Sequence, residues 1–199
     1  AEVLRGAGYF TIMTGKWHLG QSNGCVPWER GFERTLNAAA GGFYFSNAPK
    51  ASLFLNGEKA TAKNGMLPET WYSTDLWTEF GLKFIDEALA ARKPFFLYLA
   101  HNAPHFPLQA PREDIERWRG KFMQGWDVMR EECYARQLEM GLIDSNWPLS
   151  PRPADVAAWD DLTAEQKDRF DHIMAIYAAV IERLDRSIGA LVEGLKQRG

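Results

Sequence analysis

Cysteine is scarce: the 199-residue chain holds two, Cys25 and Cys133. Two thiols cannot build a disulfide framework, and neither stands in a Cys-x-x-Cys or Cys/His metal spacing, so they read as free thiols or one optional bridge. A surplus of charge of one sign is also missing. The 23 basic and 26 acidic residues leave a net charge of −3 spread along the sequence, which excludes the electrostatic footprint of nucleic-acid or anionic-membrane binding. Any anion site must therefore be local. No run approaches the roughly 18 consecutive apolar residues of a membrane span, and no charged start followed by an apolar core marks a secretion signal. Internal repeats and low-complexity tracts are absent as well.

What is present is an ordinary globular composition, 46% hydrophobic, enough to bury a core. The opening "AEVLRGAGYF" reads as the tail of a helix (Val3, Leu4, Ala7) stopped by Gly8, so the chain is expected to begin inside an element of something larger. Tyr9 to Thr14 is a short β-branched and aromatic run between Gly8 and Gly15, which predicts a buried strand. Residues 21 to 68 turn to Gly, Asn, Ser and Pro and read as loops with one small hairpin turning at Asn56-Gly57. Ser73 or Thr74 can cap a helix running to about Arg92, with Leu76, Trp77, Phe80, Phe84, Ile85 and Leu89 at helical spacing.

The unbroken apolar run Phe95 to Ala100 then fits a central parallel strand covered on both faces. A helix over Trp126 to Met140 shows Trp126, Met129, Cys133 and Met140 on one stripe. After a proline-rich loop, Thr163 with Gln166 forms a capping box. It opens a long helix whose predicted buried face is Phe170, Ile173, Tyr177, Val180, Ile181, Leu184, Ile188, Leu191 and Leu195. Strand, long crossover, helix, strand predicts an α/β fold with a mainly parallel sheet between helices.

In open parallel sheets, ligands bind at the carboxyl ends of strands. The first predicted strand exits through Lys16 and His18, the second through His101 and His105. If the backbone stays extended through Gly15, Lys16 and His18 face one side and Trp17 packs on the other. His101 and His105 are four apart like helical zinc ligands, but Pro104 and Pro107 break the helix that this would need. A phosphate-binding loop fails too, since Phe10 and Trp17 stand where glycine and Ser or Thr belong. One lysine and two imidazoles converging from separate loops would favour a small oxyanion, a charge pair at 4 Å being worth about 4 kcal/mol at an effective dielectric near 20. The plain alternative is a solvated Lys16, a His18 bonded to a loop carbonyl and a His105 packed by its flanking prolines.

"GKWHLG", "ERGFER", "PFFLYLAHNAPHFPLQAP" and "YAAVIERLDRSIGALVEGL" together resemble the type I, arylsulfatase-like sulfatases of the alkaline phosphatase superfamily. The resemblance runs through nearly the whole chain in family order. It implies an alkaline phosphatase-like fold and a sulfuric ester hydrolase whose nucleophile is formylglycine, beside a calcium ion. By motif, Lys16 would hold sulfate oxygens, His18 would contact the formylglycine, and His105 would bind the ester and serve its leaving oxygen. His101 and His172 receive no role. The partner would be a sulfated small molecule or glycan, and the compartment periplasmic or secreted.

The sequence also departs from that family. The Cys/Ser-x-Pro/Ala-x-Arg nucleophile motif should precede Lys16, and none is there; "CVPWER" at Cys25 carries Trp28 and Glu29 where serine and arginine belong. The acidic residues expected for calcium are missing, and Asp160-Asp161 come in the wrong order. Residues 1–199 are therefore expected to be the middle portion of one catalytic domain, truncated at both ends, inactive alone, and exposing sheet edges through which it could associate. A phosphodiesterase or phosphonate hydrolase of the same superfamily, or a non-catalytic anion-binding relative, are the alternative readings.

Overall fold

The strand predicted after Gly8 is present as β1 (Phe10–Lys16), starting one residue later and ending two residues later than the predicted run, in a computed structural model that describes residues 1–49 and 51–199. A short helix, α1 (Glu2–Gly6), precedes it, and Gly8 at φ +90° makes the turn between them. The backbone divides into two compact units, one of Ala1–Ala110 with Val180–Gly199 and one of Pro111–Ala179.

The first unit is α/β. β2 (Arg34–Ala38) pairs with β1 in parallel, and the hairpin of β3 (Leu53–Leu55) and β4 (Glu58–Ala60) extends the sheet antiparallel from β2. The hairpin turns at Asn56-Gly57, both at positive φ, as that dipeptide requires. β5 (Phe95–Ala100) lies parallel on the other side of β1, giving the order β4-β3-β2-β1-β5. Two expectations change here. Residues 34–38, expected as loop, form β2, because a five-residue strand holding Arg, Asn and Ala carries too little apolar signal. β5 is an edge strand among the described residues, with Tyr98 44% exposed, whereas β1 is buried on both faces.

α2 (Ser73–Ala90) covers one face of the sheet with Leu76, Trp77, Phe80, Phe84 and Ile85 against Ile12 and Leu36. Its N-cap is Tyr72 rather than Ser73 or Thr74, whose hydroxyls are buried within the first turn. The amide of Ser73 donates instead to the Tyr44 carbonyl at 2.7 Å, so a backbone tie replaces the predicted side-chain cap. On the opposite face Met13, Trp17 and Phe32 pack together with Phe96 and Ala100. Val180–Lys196, the last part of helix α5 (Ala164–Lys196), lies on α2 through the paired hydroxyls of Thr78 and Ser187 at 2.7 Å and the two-pronged Asp75–Arg183 ion pair. Gly194 permits that approach: a Cβ there would fall 2.7 Å from Leu82.

The second unit is helical: α3 (Arg112–Glu116), α4 (Gly125–Glu139), a single turn at Trp159–Asp161 and the first part of α5. The Thr163–Gln166 capping box forms with both reciprocal bonds, at 2.8 and 3.2 Å. Trp126 meets Trp159 and Phe170 edge to face. Two stripes are corrected. On α4, Cys133 and Met140 are exposed, because the aromatic contacts come from the first turn only. On α5, Val180 is buried and Leu191 and Leu195 pack on the core as expected, but Phe170, Ile173, Tyr177, Ile181 and Ile188 are exposed, while Asp171, Ala175, Ala179 and Ser187 are buried. Small and hydrogen-bonded residues share the contact line, which is rotated from the exposed bulky ones. Asp171 is held by the amides of Gly120 and Phe122 at 2.9 and 3.0 Å and by Arg119.

Candidate active site

β1, β2 and β5 are parallel, so their carboxyl ends, at Lys16, Ala38 and Ala100, open on the same side of the sheet. Gly15 makes the first exit possible. It stands at φ +116°, and a Cβ on it would lie 1.9 Å from the Ala100 carbonyl oxygen, so only glycine lets β1 run this close to the end of β5. Beyond it the side chains keep alternating. Trp17 turns to the Met13 face, meets Phe32 edge to face at 5.9 Å, and donates its indole N–H to the Cys25 carbonyl at 2.8 Å. Lys16 and His18 consequently point to the other side.

There they line a cavity of about 590 Å³ together with His105. Gly41 and Gly42 from the β2 exit also line it, as do Asn47, Phe106 and Gln109. Among the described lining residues there is no carboxylate, so Lys16 supplies a cationic centre with no acidic neighbour in the cavity. His105 donates and accepts in a defined way. Its Nδ1 lies 2.5 Å from the Phe106 carbonyl, which can only accept, so that nitrogen carries the proton and Nε2 is the one left for a ligand. Its ring stacks on Phe106 with centroids 5.0 Å apart, and its own carbonyl accepts the Tyr44 hydroxyl at 2.8 Å. Burial pushes the Tyr44 phenol up to about 12, keeping it a donor. The three groups converge from two loops, and the arrangement can grip a small oxyanion and exchange protons with it.

The sulfatase family model matches residues 1–199 from end to end. The chain belongs to the sulfatase family. It is 36% identical to an arylsulfatase of Klebsiella aerogenes over 203 residues, covering all of this chain and 43% of that protein. An uncharacterized sulfatase of Schizosaccharomyces pombe is 35% identical, again over the whole of this chain and 37% of its own length. Among solved structures, Ps i-CgsB in complex with k-i-k-neocarrahexaose superposes with a TM-score of 0.62 at 26% identity, over 98% of this chain and 36% of that one. This sulfatase chain thus spans roughly two fifths of the length of these relatives.

Of the other sequence candidates, His101 lines a second cavity of about 490 Å³ with Lys16, Trp17 and His18, and the rest lie elsewhere. Cys25 is half-buried and lines a separate cavity with Trp17 and Phe32, away from Lys16. His172 is exposed on α5. His101 is largely buried with neither ring nitrogen bonded, and burial pushes its imidazole down to about 4 against a weaker upward pull from Asp75. Asp160 and Asp161 are exposed on the short turn before α5, and among the described residues no three His, Cys, Asp or Glu side chains gather where they could hold a cation. These residues do not fit a calcium site. Asn102 went unread in the sequence. It sits between the two histidines, two residues beyond the apolar strand β5, and that polar position at a strand exit is the available signal.

Proposed function

We propose that residues 1–199 are the middle portion of a sulfatase catalytic domain and supply the anion-gripping side of a sulfate-ester hydrolase site. Lys16 neutralises the sulfate oxygens as charge builds on them. His105 keeps its Nδ1–H on the Phe106 carbonyl and, in its imidazolium form, gives the Nε2 proton to the ester's bridging oxygen as the S–O bond breaks and the alcohol leaves, ending as the neutral Nδ1–H ring; His18 is the second imidazole of the same cavity. The nucleophile and the calcium come from outside these residues, so the chain alone binds sulfate without turning over an ester. The reading rests on one observation: Lys16, His18 and His105, from two separate strand exits, line a single cavity with no carboxylate among its described lining residues.

Titration calorimetry with inorganic sulfate tests it. Wild-type chain is expected to bind, and Lys16→Met to lose about tenfold in affinity, the equivalent of roughly 1.4 kcal/mol for a partly solvated charge contact. Inorganic phosphate run in parallel separates a sulfate preference from a general oxyanion site. Equal affinity of wild type and Lys16→Met would overturn the assignment, as would hydrolysis of 4-nitrophenyl sulfate by the 199-residue chain itself.

A further inference from the structure

One carboxamide joins the loops that leave β2 and β5. Asn102 is 4% exposed and lies two residues beyond β5. Its Nδ2 donates to the Phe43 carbonyl at 2.6 Å, in the loop after β2, and its Oδ1 accepts the Trp77 indole N–H of α2 at 2.9 Å. The two ends are not interchangeable. Turned over, the amide would set oxygen against the Phe43 carbonyl and NH2 against the indole N–H, so both bonds fix its orientation.

That fixation reaches the cavity by two routes. The Asn102 carbonyl accepts the His105 amide at 2.9 Å, closing the turn that carries the imidazole. On the other side Gly41 is wedged between Asn102 and Lys16: a Cβ built there would lie 3.3 Å from the Asn102 Cβ, 3.2 Å from the Lys16 Cδ and 3.5 Å from its Nζ. The stem of the cation therefore rests on a loop that Asn102 holds in place. Asn102 itself does not line the cavity.

We propose that Asn102 is a positioning residue: its carboxamide clamps the Gly41–Phe43 loop to the β5 exit and thereby sets where the Lys16 ammonium stands relative to the His105 imidazole. Groups brought from separate loops bind a small rigid anion well only if their spacing is set before it arrives. The proposal rests on the reading of this cavity as a sulfate site, but the clamp has a readout of its own. In the sulfate-free chain, Asn102→Ala is expected to broaden the backbone amide signals of Gly41, Gly42, Phe43 and His105 and leave those of β1 and of the middle of α2 sharp. Affinity for inorganic sulfate is expected to fall about tenfold, the scale on which a small misplacement is felt.

Asn102→Ala leaves the Trp77 indole N–H without a partner, and the chain could fail to fold for that reason. The paired variant Asn102→Leu with Trp77→Phe removes the stranded indole N–H, leaving the Phe43 carbonyl as the one group without its partner in the clamp, and should keep the fold while losing the clamp and the affinity. Unchanged loop signals in a folded variant, with sulfate affinity within about twofold of wild type, overturn the proposal. Broadened loop signals in a chain whose wild type binds no sulfate uphold the clamp and remove the sulfate reading instead.

Discussion

Acid should destabilise the first unit through one side chain, His101. Its imidazole is largely buried, both ring nitrogens lack partners, and burial holds it down to about 4 from an ordinary 6.5, with Asp75 pulling weakly the other way while paired to Arg183. Between these two values the unfolded chain binds a proton that the folded chain refuses, so stability rises with pH across that window and falls as the pH is lowered through it. The full contribution is present above about 6.5 and is gone below about 4, and a gap of about 2.5 units at 1.36 kcal/mol each amounts to roughly 3 kcal/mol. His101→Leu removes the titrating group and keeps the volume. At pH 7 it should be neutral or stabilising by about 1 kcal/mol, since two undonated ring nitrogens leave the interior.

Urea unfolding of both chains at pH 7, 6, 5 and 4 isolates this contribution, because every other titrating group is common to the two. The advantage of His101→Leu should grow by about 3 kcal/mol over that range. Parallel stability curves for the two proteins would refute the reasoning, and would mean that the ring is solvated or bonded in solution.

The remaining expectations bear on geometry. Gly15→Ala places a methyl group where the Ala100 carbonyl already stands and demands a positive φ; it should cost about 3 kcal/mol or more, read as loss of folded chain, and a soluble stable variant would refute the close approach of β1 and β5. Asp171→Ala leaves the Gly120 and Phe122 amides without their acceptor and takes from Arg119 one of its two carboxylates, Asp168 remaining, and should destabilise the second unit by about 2 to 3 kcal/mol, measured by amide exchange at Gly120 and Phe122; unaltered exchange would show the contacts to be incidental. Phe106→Ala removes an aromatic ring that is 76% exposed at the cavity mouth. Affinity for 4-nitrophenyl sulfate should fall about fivefold, the scale of one ring contact, while that for inorganic sulfate holds; equal losses for both would place Phe106 in support of His105 only.

Much of this was legible in the sequence because period and punctuation carried it. The β1 run between two glycines, the Asn56-Gly57 turn and the capping box each had a local physical signature, and each is in the structure. β2 had none: its apolar content is Leu36 and Ala38, and it is a strand because β1 and the hairpin offer it partners on both sides. β5 looked like a central strand because an apolar run reports burial of faces, not whether another strand lies beyond it. The stripe on α5 misled for a related reason. Bulky residues mark where a helix could bury area, whereas Ser187 and Gly194 mark where α2 actually comes close, through hydroxyls and a missing side chain.

The candidate site was readable to the extent that strand alternation determines it. Lys16 and His18 are displayed because Trp17 between them is anchored, by Phe32, Met13 and a hydrogen bond to the Cys25 carbonyl, to the opposite face. A slip of one residue at Gly15 would exchange those faces, burying an ammonium against Phe32 and turning an indole into the cavity. Burying an unpaired lysine costs several kcal/mol, so the register that displays the cation is also the one the core prefers. What alternation cannot supply is the distance from Lys16 to a histidine some ninety residues on. That distance depends on contacts between loops, on Gly41 between Lys16 and Asn102 and on the Asn102 amide between Phe43 and Trp77. Spacing along a chain carries no trace of such contacts, which is why Lys16, His18 and His105 could be singled out as candidates from sequence while Asn102, which bonds the two loops together, had to be found in three dimensions.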